Sequence, residues 1–197
     1  MTQTLRFGLQ SQAGILRPAA RWLGPASAAD RLVLDRAVGP VLDVGCGPGR
    51  HALALAERGI PTLGLDVTLH AIAIARARGV PVLERSVFAR VPMVGRWRTA
   101  LLLDGNIGIG ADPVVLLQRV GRLLAADGRV LAELDPPDWP CSPQTVRLEI
   151  AGATGPWFRW VSVSVDRIES VASQSGLALC DVFTLDNERW FAELRGD

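Results

Sequence analysis

Residues 41–49 read Val-Leu-Asp-Val-Gly-Cys-Gly-Pro-Gly, and an isolated acid, Asp66, ends the next apolar run. A short apolar run that ends in an acid and continues into alternate glycines is typical of a strand followed by a tight loop. Glycine has no Cβ, so such a loop adopts positive φ angles and lets its backbone approach a ligand closely. The chain from about Arg50 has a helical pattern, and the N-terminal amides of a helix point back toward the preceding loop. The stretch therefore predicts a strand–loop–helix site for a nucleotide.

The spacing of the glycines separates two kinds of nucleotide site. A dinucleotide fingerprint, Gly-x-Gly-x-x-Gly, requires its third glycine at position 50, where this chain has Arg. Gly45, Gly47 and Gly49 instead resemble motif I of the class I S-adenosylmethionine-dependent methyltransferases. In that family the loop faces the methionine and ribose parts of a cofactor, S-adenosyl-L-methionine, that has no pyrophosphate. An NAD(P)-binding Rossmann oxidoreductase shares the strand, the glycines and the acid, and it stays open as an alternative.

The rest of the chain alternates predicted strands with predicted helices of about ten residues. This alternation predicts an α/β, Rossmann-like doubly wound sheet that is mostly parallel, with helices on both faces. Residues 177–185 and 188–195 are expected to pair as an antiparallel C-terminal hairpin across Asp186 and Asn187. The combination also resembles the class I methyltransferase fold over residues 27–197. The predicted strands are 41–44, 62–65, 80–83, 99–103 and 129–134. The predicted helices are 28–37, 50–58, 69–78, 113–125 and a last one that Asp166 caps and that ends at Ser175.

Two segments depart from that alternation within what we predict to be a single domain of residues 1–197. Residues 1–25 contain Pro18 and Gly24 and are expected to be irregular. Residues 136–165 start with a proline-rich loop and continue into a predicted hairpin. We expect them to form a lid on the substrate side of the pocket, since aromatic side chains suit a flat or apolar small molecule and arginines suit an anion. The residues concerned are Trp139, Arg147, Trp157, Phe158, Arg159 and Trp160.

The resemblance implies roles for particular residues. Asp66 is expected to accept hydrogen bonds from both ribose hydroxyls, and Asp43 to organise the loop or reach the cofactor ammonium. Val67, with Val87 or Phe88, is expected to enclose the adenine, and Ser86 or Glu84 to bond its amine. Cys46 is interpreted as a small residue that fits the loop. The full predicted cofactor-binding set is Asp43, Gly45, Cys46, Gly47, Asp66, Val67, Ser86, Val87, Asp104 and Gly105.

Methyl transfer is an in-line displacement, so correct positioning of the reactants supplies much of the rate. A general base is needed only where the acceptor must lose a proton. His51, Asp104 and Asp135 are candidates for such a base, and the sequence favours none of them. A binding protein of the same fold that retains S-adenosylmethionine but catalyses nothing is a further alternative.

The composition excludes several other classes of function. The net charge of +1 gives no basis for a nucleic-acid or membrane surface, and no Asn/Asp-Pro-Pro-Tyr motif of nucleic-acid methyltransferases follows the fourth predicted strand. Cys46, Cys141 and Cys180 match neither a disulfide framework nor a metal site. With no signal peptide or transmembrane run visible, we expect a cytoplasmic and, from its Arg-rich, Lys-free composition, bacterial protein acting on a small-molecule methyl acceptor. The oligomeric state is not predicted.

Overall fold

The fold is built from two sheets, and helices cover both faces of the larger one. The computed structural model describes residues 7–11, 14–18, 20–150, 153–186 and 188–196. Short 3-10 helices lie at Asn106–Gly108 and Val165–Arg167. The strands and helices, in chain order, are β1 (Phe7–Ser11), β2 (Gly14–Pro18), α1 (Ala20–Leu23), α2 (Ala28–Leu34), β3 (Val41–Val44), α3 (Arg50–Ala56), β4 (Thr62–Asp66), α4 (Leu69–Ala77), β5 (Val82–Glu84), β6 (Trp97–Leu102), α5 (Pro113–Gly121), β7 (Leu124–Leu134), β8 (Gln144–Ile150), β9 (Ala153–Thr154), β10 (Phe158–Trp160), α6 (Ile168–Ser175), β11 (Leu177–Leu185) and β12 (Arg189–Gly196).

The larger sheet has seven strands in the order β11-β12-β7-β6-β3-β4-β5. Its strands β3 to β7 pair in parallel, whereas β12 pairs antiparallel with both β7 and β11. The predicted class I methyltransferase fold, a mostly parallel sheet with an antiparallel C-terminal hairpin, is therefore confirmed. Of the predicted hairpin turn, Asn187 lies outside the described residues.

Apolar side chains alternate along the central strands and build a core on each face of this sheet. On one face, Leu42 of β3 and Leu102 of β6 belong to the cluster that includes α5 and α6. On the other, Val41 and Leu101 pack with residues of α2 and α3. Successive side chains of a strand point to opposite faces, so both faces of β3 and β6 are buried. This burial explains their continuous apolar sequences, which are typical of parallel sheets.

The smaller sheet is antiparallel, with the strand order β10-β8-β1-β2 and with β9 paired to β8. The prediction that residues 1–25 are irregular is wrong, because this segment contains β1, β2 and α1. Pro18 ends a strand here rather than interrupting a helix. The partner of β1 is β8, with Leu9 opposite Leu148. A pairing across so many residues depends on tertiary structure and leaves no local periodicity to read.

Local signals predicted some element boundaries and missed others. Ser27 and Asp30 form a capping box at α2, with Asp30 N donating to Ser27 Oγ (3.1 Å) and Ser27 N to Asp30 Oδ2 (2.9 Å). Asp166 was predicted to cap α6, but that helix starts later, and Asp166 Oδ2 accepts from Asp138 N at 2.7 Å. The predicted helix 113–125 ends at Gly121. None of the described helices has the length and apolar character required to cross a bilayer.

Candidate active site

The main cavity lies where β3 and β6 end side by side and their connections leave in opposite directions. Open α/β sheets bind ligands at such a switch point, beyond the carboxyl ends of the strands. The cavity has a volume of about 280 Å³. Its walls come from the loops after β3, β4, β5 and β6, from α1 and from the smaller sheet. Of the predicted cofactor residues it is lined by Gly45, Cys46, Gly47, Asp66, Val67, Ser86, Val87 and Asp104.

The glycine loop is held by a residue that sequence reasoning did not single out, Asn106. Its Nδ2 donates to the carbonyls of Val44 and Gly45, each at 2.9 Å. A Cβ added to Gly45 would lie 2.7 Å from that nitrogen, and Gly45 has a φ of 71°. Only glycine satisfies both conditions without strain. The loops after β3 and β6 are thereby fixed against each other.

Asp66 ends β4 and lies at the wall of the cavity next to the glycine loop. Its Oδ2 accepts from Gly47 N and its Oδ1 from Thr68 N, both at 2.8 Å. Burial raises the pKa of Asp66, and the two backbone N–H groups oppose that shift by stabilising the carboxylate. Each carboxylate oxygen has two lone pairs, so both retain capacity to accept from a ligand hydroxyl.

Asp43 lies beneath the loop and does not line the cavity. It is 1% exposed, and its Oδ2 has no hydrogen-bond partner within the part of the chain that the structure describes. Burial raises the pKa of Asp43 to about 6. An unpartnered buried carboxylate oxygen is costly, so a donor or a positive charge close to this atom would be stabilising.

The candidate general bases are placed in ways that the sequence did not reveal. Asp104 accepts two bonds from Arg50, NH1 to Oδ2 at 2.8 Å and NH2 to Oδ1 at 2.9 Å, and Arg21 NH2 lies 3.0 Å from Oδ1. Burial tends to raise the pKa of Asp104, but Arg50 and His51 hold it below its usual value. The carboxylate is therefore ionised and paired, which makes it a poor base.

His51 and Asp135 differ in their relation to the cavity. His51 lines it but is only 3% exposed, and its Nε2 lies 3.5 Å from Asp30 Oδ1 without hydrogen-bond geometry. Asp135 is buried, and its backbone pairs with Val163 and Val165. Among the described residues that form the cavity wall, neither Asp135 nor Gly105 occurs.

Arg50 is the centre of a buried ion network that reaches several elements. It is 4% exposed and also donates to both oxygens of Asp30, each at 3.2 Å. Asp30 accepts in turn from Arg189 NH1 at 2.9 Å, and Arg189 makes two 2.9 Å bonds to Glu133. Burial opposes ionisation of Asp30, but His51 and Arg50 hold its pKa well below the usual range. The network joins α2, α3, β7, β12 and the loop after β6.

The surroundings of Cys46 indicate a packing role rather than a catalytic one. A Cβ added to Gly64 of β4 would lie 2.5 Å from Cys46 Sγ, so the thiol lies directly on the strand. Burial raises the pKa of the Cys46 thiol well above its usual value. A protonated, packed thiol is a weak nucleophile, which agrees with the interpretation of Cys46 as a residue that fits the loop.

The smaller sheet supplies the opposite wall. Leu148 of β8 and all three residues of β10, Phe158, Arg159 and Trp160, line the cavity. Trp139 and Trp157 do not; they are 49% and 45% exposed. The strand β10 lies on the loop after β6, because Gly110 N donates to Arg159 O (2.9 Å) and Val161 N to Gly108 O (3.0 Å).

Sequence reasoning missed two further wall residues, Trp22 and Arg50. Trp22 lies in α1, a four-residue helix that has no periodic signal of its own. Arg50 was noted only for not being glycine. Its burial depends on Asp30 and Asp104, which are distant in sequence, so no local pattern predicts it. Glu84, one of two candidates for the adenine amine, does not line the described cavity, whereas Ser86 does.

The glycine loop and the parallel strands match a known family. Residues 41–128 match the family model described as a methyltransferase domain. This match and the fold confirm the resemblance to the class I S-adenosylmethionine-dependent methyltransferases that the sequence indicated.

Solved structures of several methyltransferases share the fold over most of the chain. A SAM-dependent methyltransferase from Bacteroides fragilis superposes with a TM-score of 0.78 at 21% identity, covering 97% of this chain and 87% of that one. The CcbJ methyltransferase from Streptomyces caelestis gives 0.67 at 15% identity, with 89% and 92% covered. The 1,6-didemethyltoxoflavin-N1-methyltransferase from Burkholderia thailandensis gives 0.63 at 19% identity, with 89% and 79% covered.

Proposed function

We propose that this protein transfers a methyl group from S-adenosyl-L-methionine to a small-molecule acceptor. The observation that carries the proposal is the Asp66 carboxylate, which bonds Gly47 N at 2.8 Å and lies at the cavity wall beside the glycine loop. A carboxylate at the end of the second parallel strand is placed to accept from two ribose hydroxyls, and an ionised acceptor makes such bonds stronger.

The residues around the cavity fit the other parts of this cofactor. Val67, Ser86 and Val87 line the wall beyond Asp66, where an adenine needs apolar faces and a polar edge. Asp43 lies under the loop with an unpartnered oxygen, and Asp104 lies at the cavity wall. Asp104 is already paired with Arg50 and Arg21, so Asp43 is the acid whose charge would attract the cofactor's ammonium at this end. When bound, the cofactor supplies an electrophilic methyl carbon on a sulfonium.

Structures of relatives support the same cofactor. The Bacteroides fragilis methyltransferase was solved in complex with S-adenosyl-L-homocysteine. The Burkholderia thailandensis enzyme holds 1,6-didemethyltoxoflavin together with S-adenosylhomocysteine. By analogy, the wall formed by the smaller sheet is the acceptor side here, and four residues of the segment 136–165 belong to it.

We infer that the protein acts by positioning its reactants rather than by general base catalysis. The two acids at the cavity, Asp66 and Asp104, are both committed to hydrogen bonds, and His51 faces Asp30. Alignment of reactants in a closed site supplies about 7–11 kcal/mol toward a barrier. An acceptor whose lone pair is free at neutral pH needs no proton removed.

An oxidoreductase that binds a nicotinamide dinucleotide fits the site less well. Position 50 carries a buried arginine, with four hydrogen bonds to Asp30 and Asp104, where a dinucleotide loop requires glycine. The arginine side chain fills the space that the third glycine opens for close packing. We therefore expect binding of S-adenosylhomocysteine and none of NAD.

Calorimetric titration of the wild-type protein with S-adenosylhomocysteine and with NAD tests the cofactor. We expect saturable binding of the first alone, and binding of NAD alone would overturn the proposal. Turnover is tested with S-adenosylmethionine labelled in its methyl group and a panel of small acceptors. Transfer of label supports an enzyme, whereas tight cofactor binding with no transfer across the panel would favour a non-catalytic binding protein.

A further inference from the structure

The side of the cavity that the smaller sheet forms is apolar. We call it the acceptor wall; it consists of Trp22, Ile109, Leu148, Phe158 and Trp160. Four of these five side chains pack together in one apolar cluster. Arg159 lies between Phe158 and Trp160 in β10, so its side chain points to the outer face of the sheet and away from the wall. The acceptor wall therefore favours a flat, apolar body.

Most charged side chains on the rest of the cavity already have partners. Arg50 and Asp104 bind each other, and Arg85 donates to Arg90 O at 2.8 Å. Asp66 accepts from two backbone amides, and we assign its remaining capacity to the cofactor ribose. These contacts favour a methyl acceptor that is neutral and that is recognised by a neutral polar group.

Asn106 lies between the glycine loop and the acceptor wall. It is partly exposed and lines the cavity, and Ile109, three residues further on, pairs with Trp160 of β10. Asn106 Nδ2 donates to Val44 O and Gly45 O, each at 2.9 Å. A carbonyl can only accept, so these contacts fix the orientation of the amide and use both of its donors. Asn106 Oδ1 has no hydrogen-bond partner among the described residues, and it is the atom left to accept from a ligand.

A ligand that donates to this oxygen must carry an N–H or an O–H group. An O–H nucleophile has to lose its proton during methyl transfer, which requires a general base, and Asp104 is paired with Arg50. A neutral amine requires no base, because its lone pair attacks while its N–H stays bonded to the oxygen. Aliphatic amines are largely protonated at pH 7, whereas aromatic amines are neutral there.

We propose that the methyl acceptor is a small aromatic amine whose N–H group is bound by Asn106 Oδ1. Its ring lies against Phe158 and Trp160 of the acceptor wall. The nitrogen lone pair forms the new N–C bond, the S–C bond breaks, and its electron pair stays on sulfur. The positive charge thus passes to the nitrogen, and the methylated amine loses its proton to water. This inference rests on the proposed function, because it assigns an acceptor to the same cavity.

Matched pairs of ligands test the class of acceptor. The probes are aniline, indoline and 2-aminonaphthalene, each paired with an isostere that has no N–H group: toluene, 2,3-dihydrobenzofuran and 2-methylnaphthalene. They are titrated calorimetrically at pH 7 into wild-type protein saturated with S-adenosylhomocysteine. We expect at least one amine to bind about three- to tenfold more tightly than its isostere, which is the contribution of one neutral hydrogen bond.

Asn106→Leu removes the acceptor oxygen at nearly constant size. The preference for the amine should disappear, while the isostere binds nearly as before. The variant also loses the bonds to the glycine loop, so its affinity for S-adenosylhomocysteine is measured first and the cofactor product is raised to saturation. Gln118→Leu is the matched control, because Gln118 is an exposed amide outside the cavity, and it should keep the preference. An unchanged preference in Asn106→Leu would overturn the assignment.

A crystal structure of the wild type with S-adenosylhomocysteine and the tightest amine identifies the binding residue even if Asn106→Leu does not fold. We expect the amine nitrogen within hydrogen-bond distance of Asn106 Oδ1, and a nitrogen bonded to another group would refute the role of Asn106. If the wild type does not bind S-adenosylhomocysteine, the proposed function fails. If it binds but no amine exceeds its isostere, the acceptor class is wrong while the cofactor assignment stands.

Discussion

At the scale of single residues, Asp66 performs two tasks with one carboxylate. It fixes the glycine loop through Gly47 N and shapes the start of α4 through Thr68 N. Asp66 also lines the cavity, where we propose that its remaining lone pairs accept from the ribose. On this proposal, one carboxylate both fixes the backbone of the loop and contributes to the affinity for cofactor.

Asp66→Ala should weaken binding of S-adenosylhomocysteine. The change leaves ribose hydroxyls without acceptors, at a cost of about 1–3 kcal/mol, which corresponds to about 5–150-fold in Kd. Calorimetry measures the change. Asp127→Ala, which removes an exposed acid paired with Arg98, is the control and should leave Kd unchanged. Equal affinities in a folded Asp66→Ala protein would remove Asp66 from the site.

The charged Asp43 carboxylate should lower the stability of the folded protein while it supports cofactor binding. Its pKa is raised from 3.8 to about 6 by burial, so the folded protein binds an extra proton between about pH 4 and 6. Stability therefore falls as pH rises through that window, by up to about 3 kcal/mol for a shift of this size. Above pH 6 the folded protein carries a buried, partly unpartnered charge.

Asp43→Asn removes that charge at constant shape. We expect the variant to match the wild type in free energy of unfolding near pH 4 and to exceed it at pH 7, while cofactor affinity drops. Urea denaturation at both pH values measures the first effect and calorimetry the second. A variant that is less stable than wild type at pH 7 would show that the Asp43 charge is well compensated.

At the scale of elements, the loop after β6 connects the two sheets. A Cβ added to Gly108 would lie 1.7 Å from Val161 O, which is backbone that cannot move aside. The loop has no room for a side chain at Gly108, because β10 packs directly against it. The absence of a side chain at Gly108 therefore allows β10 and the smaller sheet to lie this close to the loop after β6.

Gly108→Ala should displace β10 and separate the two binding functions. Overpacking of this kind costs about 1–3 kcal/mol, and a small-molecule methyl acceptor should bind more weakly while S-adenosylhomocysteine binds nearly as before. Calorimetry with both ligands tests this. Gly121→Ala is the control, since its Cβ would have only an ordinary contact of 3.6 Å with Leu177. Loss of both ligands together would mean that the loop is needed for the cofactor as well.

Strands and loops could be predicted from the sequence where their signals are local, and not where they depend on a distant partner. β3, β6 and the glycine loop have signals within a few residues, namely a continuous apolar run and alternate glycines. Of the N-terminal residues, β1 is stabilised by β8, so its strand character depends on a partner more than 130 positions away. The start of β7 at Leu124 was predicted as helix, because Leu123 and Leu124 continue the apolar periodicity of α5.

The residues of the candidate site likewise fall into those that the local sequence predicts and those that it does not. Glycines and acids that end strands are recognisable from the adjacent sequence. Eight of the ten predicted cofactor residues, which are such glycines and acids or lie close to them in the sequence, line the cavity. Arg50 and Trp22 are not, because their positions follow from Asp104 and from the second sheet. The ion pair between Asp104 and Arg50 could not be predicted from the sequence either, so Asp104 remained a candidate general base.

At the scale of the whole molecule, the ion network around Arg50 holds distant elements together. Asp30, Asp104 and Glu133 each bind at least one arginine, and Arg189 brings β12 to α2. Removing one partner of a buried pair leaves an uncompensated charge, at a cost of about 3–5 kcal/mol. The network therefore stabilises the fold and keeps Asp104 ionised at the cavity.

Arg50→Met should lower the free energy of unfolding by about 3–5 kcal/mol. Arg58→Met is its control: Arg58 pairs with the exposed Asp35 at 2.7 Å, and loss of a surface pair costs about 0–1 kcal/mol. Denaturation in urea at pH 7 compares the two variants. Equal losses would mean that the buried network adds no more stability than a surface ion pair does.

The central claim is that S-adenosylmethionine binds between the glycine loop and Asp66. A crystal structure with S-adenosylhomocysteine tests it most directly. We expect both ribose hydroxyls within hydrogen-bond distance of the Asp66 carboxylate, the adenine against Val67 and Val87, and the amino-acid end over Gly45 and Gly47. A ligand bound elsewhere, or one whose ribose makes no contact with Asp66, would contradict it.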